Sequence, residues 1–184
     1  KFVSVYLHEK DKVHTMELEN YVEEVLAAEM PAKFEIEALK AQAIAARTYA
    51  YFRINTKSNI NLSVHKGAHI CTDSNHCQAW VNMKELKEKA GSNSNNIDKL
   101  HKAVIYTRGM ILKYNNEVIN PVFHSNSGGY TKNSEDIWLG KPVPYLRGVK
   151  SFGEDLDPKY RTYYKLCASE MLNKLKNELN IDLT

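Results

Sequence analysis

Residues 18–31, LENYVEEVLAAEMP, constrain this chain more than any other stretch, because they write an apolar helix face with one acid set into it. At a step of about 100° per residue, Tyr21, Val22, Val25 and Leu26 share a face. Glu29 lies on that face too, four positions beyond Val25 and three beyond Leu26, whereas Glu19, Glu23 and Glu24 fall largely elsewhere. Such a face has to be covered, so the fold must supply a partner. Pro31 stops the first helix, and PAKFEIEALKAQAIAARTYAYFR provides a second, in which Ile36, Leu39, Ala43 and Arg47 align at spacings of three and four. Its alanines permit a close helix pair.

A carboxylate drawn toward low dielectric loses its preference for the charged form, which is what a proton donor working near neutral pH requires. Glu29 is therefore the candidate general acid. The plainer expectation is that a glutamate on such a face meets an arginine, or sits at the edge of the stripe and reaches water. Arg47 also points inward, and periodicity leaves two roles open to it: holding Glu29 ionised as a structural pair, or binding a substrate group beside it.

Around this pair the chain reads as α+β rather than as alternating βαβ units. KFVSVYLHEKDKVHTMELE predicts two strands around the polar Lys10–Lys12 turn, with Val3, Val5 and Leu7 alternating. From Asn55 to Asn96 the composition turns polar, with a short helix at Asn82–Ala90 and a loop, GSNSNN, at its end. A helix over 97–105 follows, then a hairpin in MILKYNNEVINPVFH turning at Asn115 and Asn116. In the tail, Ser169 is an N-cap candidate and Leu172, Leu175 and Leu179 form a stripe. The expected architecture is a helix pair carrying the glutamate, packed with antiparallel or mixed β-structure, in one domain over 1–184 with a polar insertion at about 55–100. At 184 residues the chain is long enough for such a core.

The insertion holds SVHKGAHICTDSNHCQAW, in which His65, His69, Cys71, His76 and Cys77 crowd together. Zinc takes imidazole nitrogen and thiolate sulfur from about four directions, and a loop rich in both can wrap one ion. His65, Cys71 and Cys77 are the first-choice ligands, with a fourth place open to water, His69, His76 or Glu29. Neither spacing is the short C-x₂₋₄-C knuckle of zinc fingers, and a Cys71–Cys77 disulfide remains the competing expectation. Cys167 lies far off in sequence and is expected to be a small buried hydrophobe. No organic cofactor is implied.

The segment LENYVEEVLAAEMPAKFEIEALKAQAIAARTYA strongly resembles the SpoIID/LytB domain family and, within it, the sporulation lytic transglycosylases. NPVFHSNSGGYTKNSEDIWLGKPVPYLRGVKS resembles that family's second hallmark, an aromatic-H-S-x-S-G-G-x-T loop followed by W and P-Y-L. The resemblance implies cleavage of peptidoglycan glycan strands between N-acetylmuramic acid and N-acetylglucosamine to give 1,6-anhydro ends. It makes Glu29 the catalytic glutamate and Arg47 the arginine of the AARTYA motif. It further implies strands already stripped of stem peptides by a sporulation amidase, and a membrane scaffold of the engulfment machinery as partner. Other members of the broader family act as noncatalytic wall-binding or amidase-activating modules.

In the second motif, Gly128 and Gly129 allow positive φ, while His124, Ser125, Asn126 and Ser127 offer short donors and acceptors suited to sugar hydroxyls and acetamido groups. With the family match, His124, Ser125, Ser127, Gly128 and Tyr130 become candidate substrate-binding residues, and Tyr130, Trp138 and Tyr145 candidate platforms for sugar rings. A serine nucleophile is not expected here, since the spacing is not G-x-S-x-G and His124 and Ser125 would point to opposite faces of a strand.

A net charge of +3, with basic residues dispersed, argues against a dedicated nucleic-acid binder and fits weak attraction to an anionic wall. Lys84, Lys87 and Lys89 alternate with Glu85 and Glu88 on what reads as a solvated helix face. No stretch approaches the ~20 apolar residues that cross a bilayer and no signal peptide opens the chain, so it reads as soluble. Lys1 in place of methionine suggests a processed or trimmed start. The resemblance implies an extracytoplasmic domain at the sporulation septum, tethered by a helix preceding Phe2. A metal-dependent wall hydrolase is a further alternative, although no H-E-x-x-H is present.

Overall fold

The computed structural model of the chain describes residues 1–56, 62–90, 94–156 and 160–179. They form two compact units, Lys1–Phe123 and His124–Thr184, each taken by itself below.

The first unit opens with the expected hairpin. Strands β1 (Phe2–Leu7) and β2 (Lys12–Glu17) pair antiparallel, with Asp11 in the left-handed region closing the turn. Val3 and Val5 alternate onto one face and are wholly buried. Helix α1 (Leu18–Glu29) follows directly, burying Leu18, Tyr21, Val22, Val25 and Leu26 along the predicted stripe. It ends where Met30 turns extended ahead of Pro31, as the residue before a proline prefers. Helix α2 (Ile36–Asn55) packs on α1 through Leu39, Ala43, Ala46 and Ala50, whose small side chains let the axes approach. Burying each of the larger apolar side chains contributes about 1.5–3 kcal/mol.

The polar stretch after α2 does not stand apart from this core. After the single-turn helix α3 (Leu62–His65), strand β3 (Ile70–Cys71) pairs parallel with β1, completing a mixed sheet of order β2-β1-β3 and sending Ile70 into the core. Helix α4 (Met83–Ala90) is largely solvated, and α5 (Ser94–Tyr106) packs Leu100, Ala103 and Val104 against α1 and α2. The loop expected at GSNSNN is shorter than its sequence implies, because Ser94–Asn96 already belong to α5; residues 91–93 lie outside the described residues. Strands β4 (Lys113–Tyr114) and β5 (Glu117–Val118) make the expected hairpin, with positive φ at Asn115 and Asn116. The unit is α+β.

The second unit contains α6 (Ser134–Trp138) and α7 (Ala168–Leu179) joined by irregular chain. Two expectations fail here. Ser169 is not an N-cap, since α7 already includes Ala168, and Cys167 is exposed rather than buried. Of the tail stripe, Leu172 is exposed and Leu175 half-buried, and the Leu179 side chain lies outside what is described. No helix among the described residues is long and apolar enough to cross a membrane.

Candidate active site and metal cluster

Glu29 is the last residue of α1 and is half-buried. Its Oε1 accepts a hydrogen bond of 2.7 Å from the Ala79 N–H, fifty positions along the chain. The segment carrying Ala79 is bound to α1 a second time through Glu24. Glu24 Oε2 accepts from Trp80 Nε1 at 2.9 Å and Oε1 accepts from the Met83 N–H at 3.1 Å. Burial raises the Glu24 carboxyl above its ordinary value, while the bonds from Met83 and Trp80 pull the other way. Two carboxylates of α1 therefore strap residues 79–83 along the helix, and one of them is the candidate acid. In Glu24→Gln an amide NH₂ replaces one acceptor and faces a donor, so stability should fall by about 1–3 kcal/mol in chemical denaturation. An unchanged midpoint would mean that the strap is held by something else.

Glu29 opens into a cavity of about 530 Å³. Tyr49, Phe52 and Arg53 of α2 form one side, His76, Cys77 and Gln78 another, and Asn120–Phe123 a third. Among the described residues lining it, Glu29 is the only carboxylate.

Beside it lies a cluster of His65, Cys71, His76 and Cys77, whose four ligand atoms all fall within 4.8 Å of one another. His65 Nε2 is 2.9 Å from His76 Nδ1 and 3.3 Å from Cys77 Sγ, and Cys71 Sγ is 3.4 Å from His76 Nδ1. Tetrahedral zinc, with bonds of about 2.0–2.1 Å to nitrogen and 2.3 Å to sulfur, separates its donor atoms by about 3.3–3.7 Å. The three separations given come within about 0.4 Å of that range, the widest in the cluster reaches no more than 4.8 Å, and the four residues could hold a metal ion. Burial, with the Arg53 and His76 charges adding to it, pushes His65 down to about 4, leaving the neutral imidazole that a ligand must be. Burial likewise raises the Cys71 thiol to about 11, so its thiolate would form as a metal displaces the proton. All three cysteines are free thiols, so the disulfide expectation is not met.

The structure thus joins the three first-choice ligands and adds His76 as the fourth. His69 is elsewhere, its Nδ1 bonded to the Ser4 backbone N–H at 3.0 Å and lying 2.7 Å from Ser4 Oγ. Glu29 is not among the four clustered residues, although His76 and Cys77 line its cavity.

Arg47 is inward as expected and 1% exposed, but it does not stand beside Glu29. Its Nε and Nη2 bond Glu19, at 3.0 and 2.7 Å, near the opposite end of α1, about 15 Å from Glu29 at 1.5 Å per residue. Its remaining donors reach Ala43, Val104 and Met110 carbonyls and Thr107 Oγ1. Both roles weighed for it at the acid give way to this ion pair, because a guanidinium that deep binds the nearest carboxylate able to follow it inward.

In the second unit, Gly128 and Gly129 do take positive φ, and the loop closes around a residue that spacing did not reveal. Glu154 accepts from the Ser127 N–H and hydroxyl, at 2.8 and 2.7 Å, and from the Gly129 N–H at 2.6 Å. His124 Nε2 lies 3.9 Å from the same carboxylate. Desolvation opposes ionisation of Glu154, yet these bonds together hold its carboxyl at about 2. Ser125 and Tyr130 are exposed, as are His124 and Trp138, and Tyr145 is half-buried.

Arg53, Gln78 and Ala79 were not singled out from sequence. The signal for Arg53 was present: Tyr49, Phe52 and Arg53 fall at i, i+3 and i+4 at the end of α2, a face that Arg47 does not share. Ala79 contributes only a backbone N–H, which no residue type announces.

An α+β unit with one acid in a cleft beside a Cys₂His₂ cluster defines the class, and comparison with known proteins places it. The chain belongs to the Stage II sporulation protein (SpoIID) family, whose model matches residues 6–114. It is 39% identical over 179 residues to the stage II sporulation protein D of Bacillus subtilis and 38% identical over 178 residues to that of Bacillus amyloliquefaciens. Those alignments cover 97% and 96% of this chain and 51% of each relative, so the chain spans about half their length. A Bacillus subtilis protein named amidase enhancer is 36% identical over 128 residues, 68% of this chain and 14% of that protein.

Proposed function

We propose that this chain carries the catalytic centre of a peptidoglycan lytic transglycosylase acting in sporulation. The observation that carries the reading is the lone carboxylate. Glycosidases that hydrolyse generally place two acids across the scissile bond, one to protonate the leaving oxygen and one to activate water or attack carbon. Here the described lining offers Glu29 alone. A transglycosylase needs no second acid. Glu29 protonates the bridging oxygen between N-acetylmuramic acid and N-acetylglucosamine, and the C1–O bond breaks. As carboxylate it then takes the proton of the muramic acid 6-hydroxyl, whose oxygen bonds C1 and leaves a 1,6-anhydro end. The Ala79 N–H fixes the carboxylate for both steps.

Zinc is the proposed occupant of the His65, Cys71, His76 and Cys77 cluster. Four protein ligands would fill the tetrahedron that zinc prefers and would leave no position for an activated water, so a bound ion would serve to hold the cavity wall. This disfavours a zinc-dependent wall hydrolase. The substrate is glycan strands freed of stem peptides by a sporulation amidase, and the site of action is the extracytoplasmic face of the septum, with the engulfment machinery's scaffold as partner. Arg47 serves it as a structural residue and the loop at His124–Tyr130 as a glycan-binding element.

Mass spectrometry of products from peptide-free glycan is the test. The wild type should release ends one water lighter than hydrolysis gives, and Glu29→Gln should release none while melting normally. Hydrated ends, or full activity in the variant, would overturn the reading. The similarity to the amidase enhancer favours a second reading, a noncatalytic activator, under which glycan ends stay unchanged and amidase turnover rises when the chain is added.

A further inference from the structure

We infer that Arg53, supported by Gln78, is the specificity-determining residue of the Glu29 cavity and reads a carboxylate on the substrate sugar. The inference rests on the transglycosylase reading for the identity of the sugar, but not for the existence of the site.

Among the described residues, the guanidinium of Arg53 has no ion pair and no hydrogen bond, and its Nε is buried without a partner. Its charge is met only by the Tyr49 ring, 6.0 Å from the centroid, and by the His65 imidazole, which it disfavours protonating, and neither cancels it. Glu29, in the same cavity, directs Oε1 to the Ala79 N–H and makes no ion pair with it. Gln78 is 3% exposed, accepts from the Tyr21 hydroxyl at 3.4 Å through Oε1, and leaves Nε2 without a partner. An arginine that is half-buried and unpaired, beside a buried amide with spare donors, is costly unless something brings acceptors to it.

The charge balance gives the sign of that ligand. Among the described residues lining the cavity Arg53 is the one arginine or lysine, and Glu29, the one carboxylate, is neutral at the start of the proposed reaction, when it holds the proton it donates. Arg53 then leaves the cavity with one positive charge, which a single anion cancels. A planar guanidinium pairs best with a carboxylate, through two parallel N–H···O bonds. Next to the glycosidic bond of peptidoglycan, the carboxylate in reach is the lactyl ether group of muramic acid, which is anionic where no peptide is attached and an uncharged amide where one is. Arg53 would therefore separate bare from peptide-bearing strands at the cleavage site itself.

Two glycans test this, one with free lactyl carboxylates and one with the same groups amidated by stem peptide. Binding is measured in the Glu29→Gln background, and turnover in the parent. Arg53→Gln should weaken binding of the free-carboxylate glycan about 10- to 100-fold and leave the amidated one unchanged. Arg53→Lys, which keeps the charge without the fork, should fall between, and in turnover the loss should appear in KM rather than kcat. Melting curves establish that the variants are folded. Equal weakening toward both glycans, or none toward either, overturns the assignment, as does a parent that binds neither. Discrimination without turnover would leave Arg53 standing and defeat the transglycosylase reading; turnover without discrimination would do the reverse.

Discussion

Chelating the metal from zinc-loaded protein is expected to lower the melting temperature by about 8–16 °C. Zinc at a thousand times its dissociation constant stabilises a folded site by about 4 kcal/mol, and a chain of this size shifts about 2–4 °C per kcal/mol. The effect should be cooperative because of where the ligands sit. His65 closes α3, Cys71 lies in β3, and His76 and Cys77 lead straight into Gln78 and Ala79. Losing the ion frees the start of the strap whose Ala79 N–H holds Glu29, so glycan cleavage should fall along with stability. Cys71→Ser and Cys77→Ser should reproduce both effects and be insensitive to chelator. Activity that collapses while the melting curve stays put would make the metal catalytic. No change in either would remove it from the account.

Replacing Arg47 with methionine should destabilise the protein by about 3–5 kcal/mol, read in urea denaturation. Glu19 is only partly reached by water, its side chain 21% exposed, and would lose the partner that neutralises it. The carbonyls of Val104 and Met110 and the Thr107 hydroxyl would lose a donor in the same step. Arg47→Lys cannot restore the side-on contact to both Glu19 oxygens, 3.0 and 3.1 Å from Nε. The discriminating variant is Arg47→Met with Glu19→Leu: removing both charges should recover much of the loss, since the penalty lies in the stranded carboxylate. A single variant within about 1 kcal/mol of wild type would show that the pair is not a main support of the α1–α2–α5 packing.

What was legible in the sequence was local. The stripe through Leu26 and Glu29 repeats every three or four residues, the Val3–Val5 alternation lies within one strand, and Asn115–Asn116 names its own turn. Residue type alone also selected His65, Cys71 and Cys77, because few other loops collect imidazole and thiol so densely. The choice of His76 over His69 was not legible. It depends on the parallel register of β3 on β1, which turns His69 toward Ser4 and Cys71 toward the cluster, and two residues of strand carry no periodicity to read. Arg47 shows the same limit: its inward direction follows from α2, while its partner Glu19 follows from how α1 and α2 cross. Glu154 was missed because it meets the Ser127 loop across 27 positions in which the short helix α6 is the one regular element among the described residues.

The pairing of Val5 with Ile70 has a consequence for synthesis. β1 leaves the ribosome ahead of both of its sheet partners, and its hairpin with β2 can close on a microsecond scale once β2 has emerged. Its other edge stays bare until about sixty-five more residues have emerged, offering unpaired amides and carbonyls beside buried-type valines to any neighbouring chain. The nascent protein is thus most prone to aggregate before Ile70 arrives, and a truncation ending short of that residue inherits the hazard permanently.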